Sequence, residues 1–132
     1  MWTDQRDLAY CAGLFEGEGN IQFFKQQNKL KDGSYGRSFR SLQLKIEMTD
    51  KEPLIRFGES LAIGKVSGPY IKPDNRKSTY TFSVTKFEHV QYVISSIWYW
   101  LSPRRKEQIS KALKSYLSHE MIRRPYRRES NR

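Results

Sequence analysis

From Phe39 to Met48 the chain alternates residue by residue, with Leu42, Leu44, Ile46 and Met48 on one side and Ser41, Gln43, Lys45 and Glu47 on the other. Successive side chains of a strand point to opposite faces, so this run predicts a half-buried strand of an antiparallel sheet. Such a strand needs a layer over its apolar face, and its other face must meet water or a partner. Asn20 to Gln27 alternates in part, Ile21 and Phe23 against Gln22, Phe24 and Gln26. The turn region Asn28 to Gly36, with Asp32-Gly33, joins the two into a pair. A second pair is expected at about Lys65 to Lys72 and Lys77 to Thr85, joined by Pro73-Asp74-Asn75. There Tyr80, Phe82 and Val84 face one way and Thr79, Thr81, Ser83 and Thr85 the other.

Helical spacing fills the intervals. Thr3 or Asp4 caps a first helix that reaches about Gly17, with Leu8, Ala12 and Phe15 on one line. Thr49-Asp50-Lys51-Glu52 is a capping-box pattern before Pro53, and Leu54, Phe57 and Leu61 mark a short helix ending at Gly64. Thr85-Lys86-Phe87-Glu88 repeats that pattern ahead of Phe87, Val90, Ile94, Ile97 and Leu101. Ser102-Pro103, cap then first position, opens a last helix with Ile109, Leu113, Tyr116 and Leu117 as its apolar face. Trp98, Tyr99 and Trp100, at helical spacing, are expected in the core or packed against the sheet's helices; the alternative is stacking on bases.

The order predicts an α+β fold, αββαββα closed by one more helix: a four-stranded antiparallel sheet with helices on one face. The 132 residues suit one domain, taken as residues 1–120. Residues 121–132, with Arg123, Arg124, Arg127, Arg128 and Arg132 and no apolar pattern, are expected to be a flexible basic tail.

The net charge of +10, from 24 Lys and Arg against 14 Asp and Glu, argues about partners rather than fold. Nucleic acid is the first candidate. No apolar run approaches the ~20 residues of a membrane span, and no basic amphipathic helix stands out, so no membrane partner is expected. Cys11 is the only cysteine, which rules out an internal disulfide and suits a reducing intracellular compartment. His89 and His119 have no Cys or acid at ligand spacing, which argues against zinc. Gly17-Glu18-Gly19 lacks the Lys-Ser/Thr of a phosphate loop, and no small-molecule cofactor is implied.

The open sheet face would carry Gln22, Phe24, Gln26, Ser41, Gln43, Lys45, Glu47, Thr79, Thr81 and Ser83. Amides and hydroxyls address base edges, and a strand ribbon fits the major groove. An eight-residue strand spans ~27 Å, enough to follow about eight base pairs. Arg37, Arg40, Lys65, Lys72, Arg76 and Lys77 lie in or beside the strand ends, where phosphates would run. The face reads as a saddle for double-stranded DNA.

Residues 10 to 21, Tyr-Cys-Ala-Gly-Leu-Phe-Glu-Gly-Glu-Gly-Asn-Ile, end the first helix with two glutamates among glycines. A carboxylate at a helix C-terminus sits at the unfavourable end of the dipole. Glu18 has no basic neighbour in sequence, and a bound cation would explain it. Ala9, Gly13 and Gly17 form a second line at intervals of four, a smooth strip that lets a second identical helix approach. A two-fold axis on this strip would bring Glu18 beside its mate, and a divalent cation would relieve their repulsion. Ala12 and Glu16 are placed in the same expected dimer contact.

Ala12-Gly13-Leu14-Phe15-Glu16-Gly17-Glu18-Gly19 resembles the signature of the LAGLIDADG homing endonucleases, with Cys11 in place of the usual leading Leu and Glu at both acid positions. The resemblance implies a site-specific double-strand DNA endonuclease using Mg²⁺ or Mn²⁺. It implies metal ligation by Glu18 with the Gly17 carbonyl assisting, and a more structural Glu16. One motif per chain implies a homodimer on a near-palindromic site. It further implies a polar residue just after the second strand near the attacking water, which Asp50 matches; the alternative for Asp50 is helix capping. A basic residue at the start of the last helix completes the set, and Arg105 and Lys106 both suit that place. A non-cleaving DNA-binding regulator, or a maturase assisting intron RNA splicing, would keep the same fold and surface.

Overall fold

The computed structural model describes residues 4–74 and 76–130, with the backbone alone for 25–28, 37–39 and 120–130. The chain runs α1 (Gln5–Glu18), β1 (Gly19–Lys29), β2 (Tyr35–Met48), α2 (Glu52–Leu61), β3 (Lys65–Tyr70), β4 (Thr79–Val84), α3 (Phe87–Ile97), a short 3-10 turn (Trp98–Trp100) and α4 (Pro103–Ser130). The strands form one antiparallel four-stranded sheet in the order β1-β2-β4-β3. This is the α+β architecture expected from the alternating runs.

The period-two pattern sets the layers. Leu42, Leu44 and Ile46 of β2 are buried, as are Ile21 of β1 and Phe82 and Val84 of β4. In register, Ile21 lies opposite Leu44, Leu44 opposite Val84, and Ile46 opposite Phe82. The helices close over this face with Cys11, Ala12 and Phe15, Leu54, Phe57 and Leu61, Val90, Val93, Ile94 and Ile97, and Ile109. Phe57 and Phe82 meet edge to face at 4.8 Å, tying α2 to the sheet centre. Arg56 of α2 reaches α1, its Nη2 3.4 Å from Asp7 and its guanidinium 3.8 Å from the Tyr10 ring centroid.

Local signals hold in part. The Asp4 carboxylate accepts from the Arg6 N–H at 2.7 Å and caps α1. Ser102 Oγ accepts from the Arg105 N–H at 3.2 Å and caps α4. At α2 the cap is the Asp50 carboxylate, which accepts from the Glu52 N–H at 3.1 Å. The box expected at Thr85 does not form: α3 begins after extended Lys86 with no side-chain cap.

The second strand pair is shorter than the sequence suggested, β3 ending at Tyr70 and β4 starting at Thr79. Trp98 and Trp100, 36% and 38% exposed, lie outside the core with most of their surface covered beside α1 and α3, whereas the short turn between α3 and α4 leaves Tyr99 82% exposed. The last helix runs on to Ser130, through most of the segment expected to be a loose tail. Arg, Glu and Met have good helix propensity, and each residue added to an existing helix gains a hydrogen bond. Residues 131 and 132 lie outside the described residues.

Candidate active site

α1 delivers its C-terminal end directly into the sheet. Glu18 is its last residue and Gly19 the first of β1, paired with Ile46 of β2. β2 runs antiparallel, so it leaves the sheet, and leads to Asp50, at the end where α1 enters. Gly19 is required there by packing: a Cβ on it would overlap the ring of the fully buried Phe15.

The two glutamates have separate surroundings. Glu16 turns away from its own helix end to the start of α4. Its carboxylate accepts the Ser102 N–H at 2.8 Å and the Ser102 hydroxyl at 2.8 Å, with Arg104 at 3.7 Å and Arg105 at 4.0 Å. The Ser102 backbone N–H, followed by its hydroxyl and the two arginines, holds this carboxyl below the ordinary carboxylate value, against the opposing effect of burial. A charge misplaced on the dipole of α1 is therefore well placed on that of α4. Glu18 is exposed, and among the described residues it makes no ion pair.

The carbonyls at the end of α1 need partners from outside the helix. The Gly19 N–H takes that of Phe15. Arg105, 8% exposed, takes that of Glu16 through Nε at 3.0 Å. The Gly17 carbonyl is another of these, and the Glu18 carboxylate follows it in the chain at the point where the helix passes into β1. These are hard oxygen donors of the kind Mg²⁺ or Mn²⁺ takes. Alone they are too few for a cage, and no group of three or more His, Cys, Asp or Glu suited to a metal occurs among the described residues. The donors fit a share of a metal site rather than a whole one.

Arg105 and Lys106 part company. Arg105 lies under the end of α1, its Nη1 donating to Gln108 Oε1 at 2.8 Å, and Gln108 Nε2 reaches Asn20 Oδ1 at 3.5 Å. Lys106 lies with its Nζ 5.4 Å from the Trp98 ring centroid. Sequence reasoning missed Asn20 and the bonding role of Gln108. They are polar residues two and ninety positions from the motif's second acid, and only the fold joins them.

Ala9, Gly13 and Gly17 line the side of α1 away from the core, and a Cβ at Gly13 or Gly17 would meet nothing within 4 Å. Ala12 does not belong with them: it is 1% exposed and packs in the core of its own chain, one helical step round from Gly13. Glu16 is occupied by Ser102 and the arginines.

The open sheet face is built from cross-strand rows. Gln22 lies opposite Gln43 and Phe24 opposite Ser41. Lys65, Ser83, Lys45 and Asn20 form one row across all four strands, and Ser67, Thr81 and Glu47 form another. Glu47 is paired in the free protein with Lys72, Nζ to Oε1 at 3.3 Å. Such an exposed pair is worth about 0–1 kcal/mol, so a phosphate can take the lysine over. Arg76 and Lys77 are exposed in the β3–β4 connection.

Two expectations for this face fail. Thr79 is 9% exposed and its hydroxyl has no hydrogen-bond partner among the described residues. The β3–β4 register shifts between Ser67 and Tyr70, and the backbone at Gly68 comes so close that a Cβ there would lie 2.8 Å from the Thr79 carbonyl. Arg40 occupies an even position of β2, on the helix side with Leu42 and Leu44, its guanidinium 5.8 Å from the Phe23 ring centroid. The side chains of Gln26 and Arg37 lie outside the described residues.

This fold is that of the LAGLIDADG homing endonucleases. The solved structures similar to it include the group I intron-encoded homing endonuclease I-CeuI complexed with DNA, at a TM-score of 0.64 and 14% identity over 93% of this chain and 60% of that one. The homing endonuclease I-TnaI matches at 0.63 and 16% identity over 86% of this chain and 74% of that one. The homing endonuclease I-CvuI, in complex with a target, matches at 0.56 and 18% identity over 79% of this chain. The chain spans 62% of the length of I-CvuI and 54% of that of an archaeal intron-encoded homing endonuclease complexed with DNA. No family model and no curated protein matches the sequence.

Proposed function

We propose that this chain is a homodimeric, divalent-metal-dependent endonuclease that cleaves double-stranded DNA at a long near-palindromic site. The observation that carries the reading is the end of α1. An exposed Glu18 carboxylate follows the Gly17 carbonyl where the helix meets the sheet, in a fold whose solved examples include DNA complexes. Two copies meeting along Ala9, Gly13 and Gly17 would bring two such ends together. The open face with Gln22, Gln43, Ser41, Lys45, Thr81 and Ser83 would lie along the duplex, and Lys65, Lys72, Arg76 and Lys77 would meet phosphates.

In this reading Glu18 and the Gly17 carbonyl would hold Mg²⁺ or Mn²⁺, which when bound would supply activation of water and neutralisation of charge on the phosphoryl oxygens. Arg105 is a positioning residue, since it fixes the last turn of α1 through the Glu16 carbonyl and braces Asn20 through Gln108. Lys106 is the more accessible of the two bases and is the candidate for contact with the scissile phosphate. Asp50 accepts from the Glu52 N–H in the free protein, and in this reading its other oxygen would orient the attacking water.

The test is selection of cleaved sites from a random duplex library with Mg²⁺, for wild type and Glu18→Gln. Cleaved sites with two-fold symmetry and no cleavage by the variant are expected. Undiminished cleavage by Glu18→Gln would overturn the site. The thin donor set of a single chain also favours a second reading, a non-cleaving DNA-binding regulator or an intron RNA maturase of the same fold. Tight binding without nicking in Mg²⁺ or Mn²⁺ would select it, and preference for structured RNA over duplex would select the maturase.

A further inference from the structure

We propose that the groove between the edge strand β1 and helix α4, on the helix side of the sheet, binds a nucleotide through its phosphate. Its main cavity is about 510 Å³ and is walled by Arg40, Lys111, Lys114, Ser115, Ser118 and His119 around the Phe23 ring. Lys111, Lys114, Ser115 and Ser118 recur at the three- and four-residue spacing that puts them on one face of α4. Arg40 reaches the same cavity from β2, because its even position turns it away from the open face.

Three cations therefore line one space, and among the described residues no acid lines it. Among the described residues none of the three is in an ion pair. Gathering like charges without a counter-charge is unfavourable, and an anion in the groove reverses the sign of the interaction. Arg40 stacked near Phe23 presents a planar fork suited to phosphate, and the two serines and His119 add smaller donors. The groove is larger than a bare ion needs and is open to solvent, with Arg40, Lys111, Lys114, Ser115 and Ser118 all exposed, so it suits a phosphate that keeps part of its hydration. A second space of about 250 Å³ shares Phe23, Lys111 and Ser115 and extends to Gln108, which is bonded to Arg105 and Asn20. A chain of nucleotides seated at Arg40 would thus run toward the end of α1 by a path outside the saddle.

The groove does not depend on the proposed nuclease activity, and the experiment separates the two. A fluorescent single-stranded octanucleotide is titrated into the full chain in the presence of saturating duplex DNA, with adenosine monophosphate as competitor. Variants are the double substitution Lys111→Gln with Lys114→Gln, and Arg40→Gln, each checked for folding by circular dichroism. The wild type should bind the octanucleotide with duplex present. The double variant should bind it at least about tenfold more weakly, with a salt slope about 1.4 shallower at ~0.7 per phosphate contact. Duplex affinity, measured separately, should change less than about twofold. Competition by the mononucleotide supports the site with a free nucleotide as its ligand, and competition by oligonucleotide alone supports it with a strand. Failure of the wild type to bind either probe overturns the proposal. So does displacement of the octanucleotide by duplex, or equal weakening of both affinities in the variants.

Discussion

Gly13→Ala separates what α1 needs within its own chain from what a partner needs of it. Gly13 lies within α1, has no positive φ, and has nothing within 4 Å of the position a Cβ would take. Glycine inside an exposed helix costs about 0.8–1.0 kcal/mol relative to alanine, so the isolated chain should become more stable by about that amount. A dimer meeting on this strip responds in the opposite sense. Each added methyl overpacks the contact by about 1–3 kcal/mol, and the two-fold axis presents it twice, giving about 2–6 kcal/mol per dimer. At 1.4 kcal/mol per decade the dimer Kd should rise by between about 30-fold and about 10⁴-fold. Urea denaturation well below the dimer Kd reads the first effect, and sedimentation equilibrium across concentrations reads the second. Cleavage should fall at low protein concentration and recover as concentration rises. A stabilised monomer with an unchanged Kd would refute the strip as a contact. A destabilised monomer would refute the open space on which the reasoning rests.

The neighbouring glycine should behave oppositely: Gly19→Ala puts a Cβ into the Phe15 ring and should cost about 1–3 kcal/mol, read as a lower Tm. Glu16→Gln should destabilise at neutral pH by about 1–2 kcal/mol, since hydrogen bonds to a charged group are strong and the side chain is 31% exposed. The folded carboxyl lies below its ordinary value of 4.5, so its stabilisation is present above that pH and is lost as pH falls through the folded value. The gap between wild type and variant should therefore persist at pH 4.5 and close as the pH is lowered through the folded value, and a gap that stays constant throughout acid titration would contradict the carboxylate's role. Arg105→Ala should cost on the order of 2 kcal/mol and loosen the end of α1, whereas Lys106→Ala should stay within about 0.5 kcal/mol of wild type. If Lys106 meets the scissile phosphate, the second variant still loses cleavage while keeping its fold and duplex affinity. Alkylating reagents should leave native Cys11 intact at neutral pH, because burial pushes its thiol up to about 11; rapid modification without unfolding would contradict this.

The strands, the helices and the layer that buries Leu42, Leu44 and Ile46 could be read from periodicity, because a pleat and a helix impose fixed spacings on whatever must face the core. The same rule found Asp4 and Ser102 as caps, since a cap bonds within its own turn. It failed where a position's environment comes from another element. Thr79 reads as an outward residue of β4, yet a shift in the pairing of β3 covers it. Tyr99 shares helical spacing with its tryptophan neighbours, yet the turn leaves it 82% exposed. Arg40 looked like one more phosphate-binding cation near a strand end, but strand parity puts it under the sheet with Lys111 and Lys114.

By itself, the sequence determined the order of elements, the basic charge, and two glutamates at the end of a helix between glycines. These follow from local spacing and composition. The tertiary structure alone decided what each glutamate does. Glu16 is matched to the N-terminus of a helix that begins 86 residues later at Ser102, whereas Glu18 is left exposed at the junction of helix and sheet. It also joined Asn20, Gln108 and Arg105 beneath that junction. The reason is physical: a carboxylate's energy depends on the dipoles and donors that surround it in space, and distance along the chain does not report them.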